Sequence, residues 1–105
     1  MKPLFVPLKT EYFNAFKNGS KTYELRFGSR WSEHHCFVGR AVVLSRGYGK
    51  HERLNGIITS YQLVQVRDLP QADIDACIDC YKGLQDYDHT EGHFLVHKIG
   101  IEVLK

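Results

Sequence analysis

Hydrophobic and polar positions alternate with two different periods along this chain. Residues 2–8, KPLFVPL, are apolar with a proline near each end, which predicts a short edge strand, because proline cannot donate to a ladder. Thr10 stands where an N-cap would open a short helix, EYFNAFKNG. Glu11 in its first turn, Lys17 in its last and Gly19 at its end suit the helix dipole and a left-handed C-terminal cap. Tyr12, Phe13 and Phe16 recur at helical spacing and are assigned to the core.

A second strand is predicted over Lys21–Phe27, followed by a polar loop, 28–36, that holds the single tryptophan, Trp31. GRAVVLS (39–45) reads as a third strand and RGYGKHE (46–52) as a glycine-bearing loop. RLNGIITSYQLVQVRD (53–68) predicts one long strand or two joined ones, with Gly56 as a candidate bulge. In QADIDACIDCYKGL, Ile74, Cys77, Ile78 and Tyr81 are spaced three and four apart, which predicts a second helix with Gly83 as its stop. DYDHTEG is a polar loop, and HFLVHKIGIEVLK a final strand. The order β-α-β-β-β-α-β, dominated by strands, points to an α+β domain built on a small curved sheet or barrel.

A chain of 105 residues, 43% apolar and 25% charged, has the size and balance of one ordinary globular domain. No run reaches the ~18 apolar residues of a membrane span, and the N-terminus carries no secretory apolar stretch. Cys36, Cys77 and Cys80 are an odd number without framework spacing, which fits a reducing compartment. A cytoplasmic protein with no membrane partner is therefore expected. The net charge of +2 is unevenly spread: Lys17–Arg53 holds eight basic residues against three acidic, and Leu54 onward four against eight. Two readings stay open. The segments pair with each other across the fold, or the basic one forms a face for phosphates while the acidic one limits non-specific binding.

The most informative motif is GxKxxExR, formed by Gly19, Lys21, Glu24 and Arg26. Gly19 permits a tight turn or close backbone approach. Arg26 offers a planar fork for phosphate or carboxylate, and Lys21 a point charge. On a strand, Glu24 and Arg26 share one face and Lys21 falls on the other, so Glu24 is placed to hold the guanidinium or accept a proton. A solvated strand with an intrastrand ion pair is the simpler alternative.

A first strand, a short aromatic helix, NGSKTYELR, a loop with Trp31, VGRAVVLS and a further strand together resemble the ASCH domain, a member of the PUA-like superfamily. The resemblance covers about Lys2–Val66. It implies a small PUA-like β-barrel of about five to six strands flanked by two or three helices. It further implies a cleft lined by Lys21, Glu24 and Arg26 with Gly19 at its entrance, and binding of RNA, single-stranded nucleic acid or nucleotide-like ligands. Some ASCH members are amidohydrolases on an acylated nucleoside, with a threonine nucleophile three residues after the motif lysine. That position is Glu24 here, and Thr22 is predicted on the other face, so the chain departs from the amidohydrolase pattern.

A second candidate is SRGYGKHER (45–53), where Tyr48 lies among Arg46, Lys50 and Arg53. Cations suit phosphates and an aromatic face suits an unstacked base; a loop of solvated charges is the alternative. Trp31 and Tyr23 are further stacking candidates, although a lone tryptophan is more often core. Six histidines and the pair Cys77/Cys80 raise a zinc site. The cysteines fall in a helical stripe, however, and His89, His93 and His97 cross from loop to strand, so no metal or cofactor is assigned. Nothing marks Cys36, beside His34 and His35, as an activated nucleophile.

The leading expectation is an RNA- or nucleotide-binding domain. Its cleft is built on Gly19, Lys21, Glu24 and Arg26, with Trp31, Arg46, Tyr48, Lys50 and Arg53 extending the basic, aromatic rim. The alternatives are a hydrolase in the same cleft, a ribonuclease or amidohydrolase with Lys21 stabilising charge and Glu24 moving protons, and a protein-interaction module.

Overall fold

The computed structural model describes residues 1–49, 52–73 and 95–104. They form five strands and one complete helix: β1 (Leu4–Leu8), α1 (Thr10–Asn18), β2 (Tyr23–Arg26), β3 (Ala41–Arg46), β4 (Arg53–Gln65) and β5 (Leu95–Val103). Residues 71–73 are helical; the remainder of the predicted second helix, with Cys77, Cys80, His89 and His93, lies outside the described residues, as does Lys50. The fold is a small α+β domain. Its sheet has the order β1-β3-β4-β5-β2, with β1 parallel to β3 and every other pairing antiparallel.

The sheet curls into a half-barrel whose two free edges are β1 and β2. The edge position predicted for the first strand holds, and Pro7 fits there because an edge residue owes no N–H to a neighbour. No ladder joins β1 to β2. Side chains span the gap instead: Arg26 Nη2 donates to the Pro7 carbonyl, and Arg30 Nη2 donates to the Phe5 carbonyl at 3.3 Å. Arg40 Nη2 caps the strand's beginning by donating to the Lys2 carbonyl at 3.0 Å.

The core fills the concave side. Leu4, Val6 and Leu8 from β1 meet Val42, Leu44, Ile58, Ile99 and Ile101 from β3–β5, and α1 lays Phe13 and Phe16 over them. Both phenylalanines are buried, each contributing roughly 2–3 kcal/mol from area alone; Tyr12 packs at their margin. A smaller cluster of Leu25, Val66 and Val96 occupies the other face, flanked by Tyr23 and Phe27. Alternation along β2 therefore sends Tyr23 and Leu25 to one side, and Glu24 and Arg26 to the other with Ile99, the register partner of Glu24.

Three local expectations change. The helix begins one residue earlier than a Thr10 cap requires, with Lys9 as N-cap and no side-chain cap bond, since the extended β1 backbone runs directly into the first turn. The second strand spans only Tyr23–Arg26. Lys21 precedes it because its N–H is bound by the Ala15 carbonyl at 3.1 Å, at the end of α1. The bulge in β4 falls between Ile58 and Ser60 and not at Gly56. Gly56 is required for a different reason: a Cβ there would lie 2.9 Å from the Glu102 carbonyl oxygen and 3.1 Å from Val42. At the end of α1, Gly19 adopts φ +86°, as its place after Lys17 and Asn18 predicts.

Candidate functional site

A carboxylate facing the inside of a half-barrel needs a partner, because burying an unpaired charge costs several kcal/mol. Glu24 is 4% exposed and has three partners. Oε2 accepts from Arg26 Nη2 at 3.0 Å, Oε1 accepts from the Leu25 N–H at 3.1 Å, and Lys21 Nζ lies 3.9 Å from Oε1. Arg26 is held from three directions in turn: by Glu24, by the Pro7 carbonyl, and by the Trp31 ring, 4.7 Å beneath its guanidinium carbon. Its Nε is buried and has no hydrogen-bond partner among the described residues. One donor of this guanidinium is thus unused.

Lys21 corrects the strand-face argument. It lies ahead of β2, so alternation does not apply to it, and its ammonium reaches Glu24 while sitting 5.3–5.7 Å from the ring centroids of Tyr12, Phe16 and Tyr23. The aromatic spacing in α1 that signalled a core thus also builds a cation-stabilising wall. Lys21, Glu24 and Arg26 form one connected charge cluster, with Glu24 at its centre.

The cluster borders a cleft of about 390 Å³ at the end of the β1/β2 gap. Glu24 and Arg26 form part of its wall, Pro7 and Leu8 come from β1, and Lys9 and Tyr12 from the first turn of α1; Gly47 and Tyr48 come from the β3–β4 loop. Backbone bonds shape the loop side: the Gly47 N–H donates to the Leu8 carbonyl at 2.9 Å, and buried Ser45 donates from Oγ to the Gly47 carbonyl at 2.7 Å. A φ of +80° at Gly47 turns the chain there, leaving Tyr48 81% exposed at the mouth. An ion pair from Lys17 to Glu52 ties the same loop to the end of α1.

The remaining sequence-derived candidates are distributed differently. Gly19 does not line this cleft; with Lys21 it lines a separate depression of about 180 Å³ at the C-terminal end of α1. Trp31 is 5% exposed and supports the guanidinium carbons of Arg26 and Arg30, at 4.7 and 5.0 Å, so it is a buried platform for arginines and offers no free face to a base. Arg46 is half-buried, with its Nε enclosed. Arg53 lies outside the cleft, its guanidinium 5.3 Å over the Phe5 ring. Sequence reasoning missed Lys9, Tyr12 and Phe5 as site neighbours. Tyr12 had been used up as a core residue, and Lys9 and Phe5 acquire meaning only from the parallel β1–β3 pairing.

Away from the cleft, Tyr61 Oη and His97 Nδ1 are 2.6 Å apart. Burial lowers the His97 pKa from its ordinary value of 6.5, a hydrogen bond with the Gly28 backbone opposing, which favours the neutral imidazole beside the phenol. Burial likewise raises the Tyr61 phenol, against a backbone hydrogen bond with Glu33. It also raises the Cys36 thiol, despite Arg40 and Arg30 nearby, which makes Cys36 a poor nucleophile. Among the described residues no three metal-ligating side chains gather, and no helix is long and apolar enough to cross a membrane.

No protein-family model and no curated protein matches the sequence. The structure is similar to the crystal structure of hypothetical protein PH0355, with a TM-score of 0.60 and 16% identity over 98% of this chain and 100% of that one. Likeness at that identity is a likeness of fold.

Proposed function

We propose that this chain is a PUA-like domain of the ASCH type that binds single-stranded RNA or a nucleotide-containing ligand in the cleft beside Glu24 and Arg26. The observation that carries the reading is the paired Glu24 and Arg26 in the wall of a 390 Å³ cleft whose mouth holds an exposed tyrosine. That volume suits a base with its sugar. A nucleobase edge offers a hydrogen-bond donor beside an acceptor; Glu24 takes the donor and Arg26 supplies the acceptor's partner. Tyr48 covers a base face, and Lys9 at the positive end of α1 stands near a phosphate.

Binding is favoured over hydrolysis because both Glu24 oxygens already accept hydrogen bonds. The carboxylate fixes the guanidinium and has little freedom to shuttle protons. Calorimetric titration with the four nucleoside 5′-monophosphates and with short RNA, at low and at physiological salt, tests the proposal. Affinity should fall steeply as salt rises, and Arg26→Gln should weaken it by about ten-fold or more. Absence of binding at low salt, or an Arg26→Gln protein that binds like wild type, contradicts the proposal. Turnover of labelled RNA or an acylated nucleoside that disappears in Glu24→Gln would replace it with the hydrolase reading.

A further inference from the structure

The outward face of β1 carries a second arrangement that the cleft does not use. Leu4, Val6 and Leu8 point into the core, so Phe5 points the other way and remains half-buried. Arg53, exposed at the start of β4, lays its guanidinium 5.3 Å over the Phe5 ring centroid. Tyr48 stands on another side of the same ring, with centroids 6.3 Å apart and planes tilted by 55°. Arg30, also exposed, donates to the Phe5 carbonyl through one nitrogen only. Tyr48 belongs to both places, since it also lines the cleft mouth. A ligand leaving the cleft over Tyr48 therefore arrives directly at Phe5, between two exposed guanidinium groups.

We infer that Phe5 and Arg53, with Arg30 beside them, form a second subsite that receives the nucleotide next to the one in the cleft, so that the ligand is a single strand and not a free nucleotide. The inference rests on the cleft reading above. Its chemistry is that of single-strand recognition: a base stacks on a guanidinium plane already backed by an aromatic ring, and the linking phosphate meets the outward N–H groups of Arg53 and Arg30. An exposed arginine held over a ring has lost rotamer freedom before binding, so less is lost when a base lands on it. Guanidiniums from Arg40, Arg30 and Arg26, donating to the carbonyls of Lys2, Phe5 and Pro7, continue the positive charge along the chain.

The test compares a nucleoside monophosphate with RNA di-, tetra- and hexanucleotides on wild-type protein, on Arg53→Gln and on Phe5→Leu. Fluorescence anisotropy reads the oligomers and calorimetry the monophosphate. Affinity should rise about ten-fold or more from mono- to dinucleotide or tetranucleotide in wild type. Both variants should lose most of that gain while keeping the monophosphate affinity and a wild-type circular dichroism spectrum. Arg53 and Phe5 do not line the cleft, so a cleft that works alone shows equal affinity for all lengths and no effect of either variant; that result overturns the subsite and leaves the cleft. No binding of any nucleotide at low salt overturns both.

Discussion

The β4–β5 ladder and the β1/β2 gap lie in the same sheet and are held together by opposite means. From Gly56–Val103 to Gln65–Leu95, β4 and β5 run in register through backbone bonds, broken once near Thr59, and their concave side chains, Ile58, Ile99 and Ile101, are buried in the core. Across the gap no backbone pairing exists, and guanidinium groups from Arg26 and Arg30 reach the carbonyls of β1. A ladder satisfies its polar groups permanently and leaves nothing to offer a ligand. An arginine that caps a carbonyl with one of its five N–H groups keeps others. The Glu24 and Arg26 charges sit where the half-barrel fails to close.

The largest expected effect is on the ladder side. Ile99→Ala removes a fully buried side chain and should destabilise by about 3 kcal/mol in urea unfolding, with ligand affinity of the remaining folded protein unchanged. An unchanged unfolding midpoint would mean that the ladder face is not the structural half.

Next comes the gap. Arg26→Gln leaves the Glu24 carboxylate buried without its guanidinium and should cost about 2–3 kcal/mol. Adding Glu24→Gln should restore most of that stability, because two amides can hydrogen-bond where one charge was stranded, yet should not restore binding. If the double variant regains affinity along with stability, Arg26 acts only as a structural clamp.

How much of this contrast is legible in the residues differs between its halves. The succession of elements along the chain, the aromatic core of α1, the Gly19 cap and the edge position of β1 all follow from local rules, because proline, glycine and apolar spacing act within a few residues. The joint presence of Glu24 and Arg26 on an inward face follows from alternation as well. Lys21 was misplaced because alternation was extended two residues beyond the strand, where the Ala15 carbonyl holds the chain. Trp31 resisted assignment by its polar neighbours, Arg30 and Ser32, since its real partners are Arg26 and Arg30 stacked on its ring. The proposed subsite on Phe5 has no local signal, for it needs β1, β4 and the β3–β4 loop brought together.

A smaller effect separates the two arginines of the gap. Arg30 is exposed and bonds Phe5 at the long distance of 3.3 Å, so Arg30→Gln should cost no more than about 1 kcal/mol. It should also lower the salt dependence of oligonucleotide binding by about one phosphate contact. A loss of stability as large as that of Arg26→Gln would show that closure, and not ligand contact, is its main role.

The smallest effect belongs to the ladder's own polar pair. His97 has a pKa lowered by burial from 6.5, so the unfolded chain takes up a proton at a pH where the folded one does not. Stability should be fully present above about pH 6.5 and fall as pH drops below it, and His97→Gln should flatten that part of the urea-midpoint profile. A wild-type profile that rises on acidification through this window would contradict the neutral, buried imidazole.

The central claim is that ligand binding belongs to the unclosed gap and not to the ladder. Its most direct measurement is an amide chemical-shift titration of the labelled protein with a short single-stranded RNA at low salt. The account predicts saturable shifts at Phe5, Leu8, Lys9, Tyr12, Arg26, Gly47, Tyr48 and Arg53, with Ile57, Ile101 and Val103 unmoved. Shifts concentrated on β4 and β5, or none at saturating RNA, would contradict it.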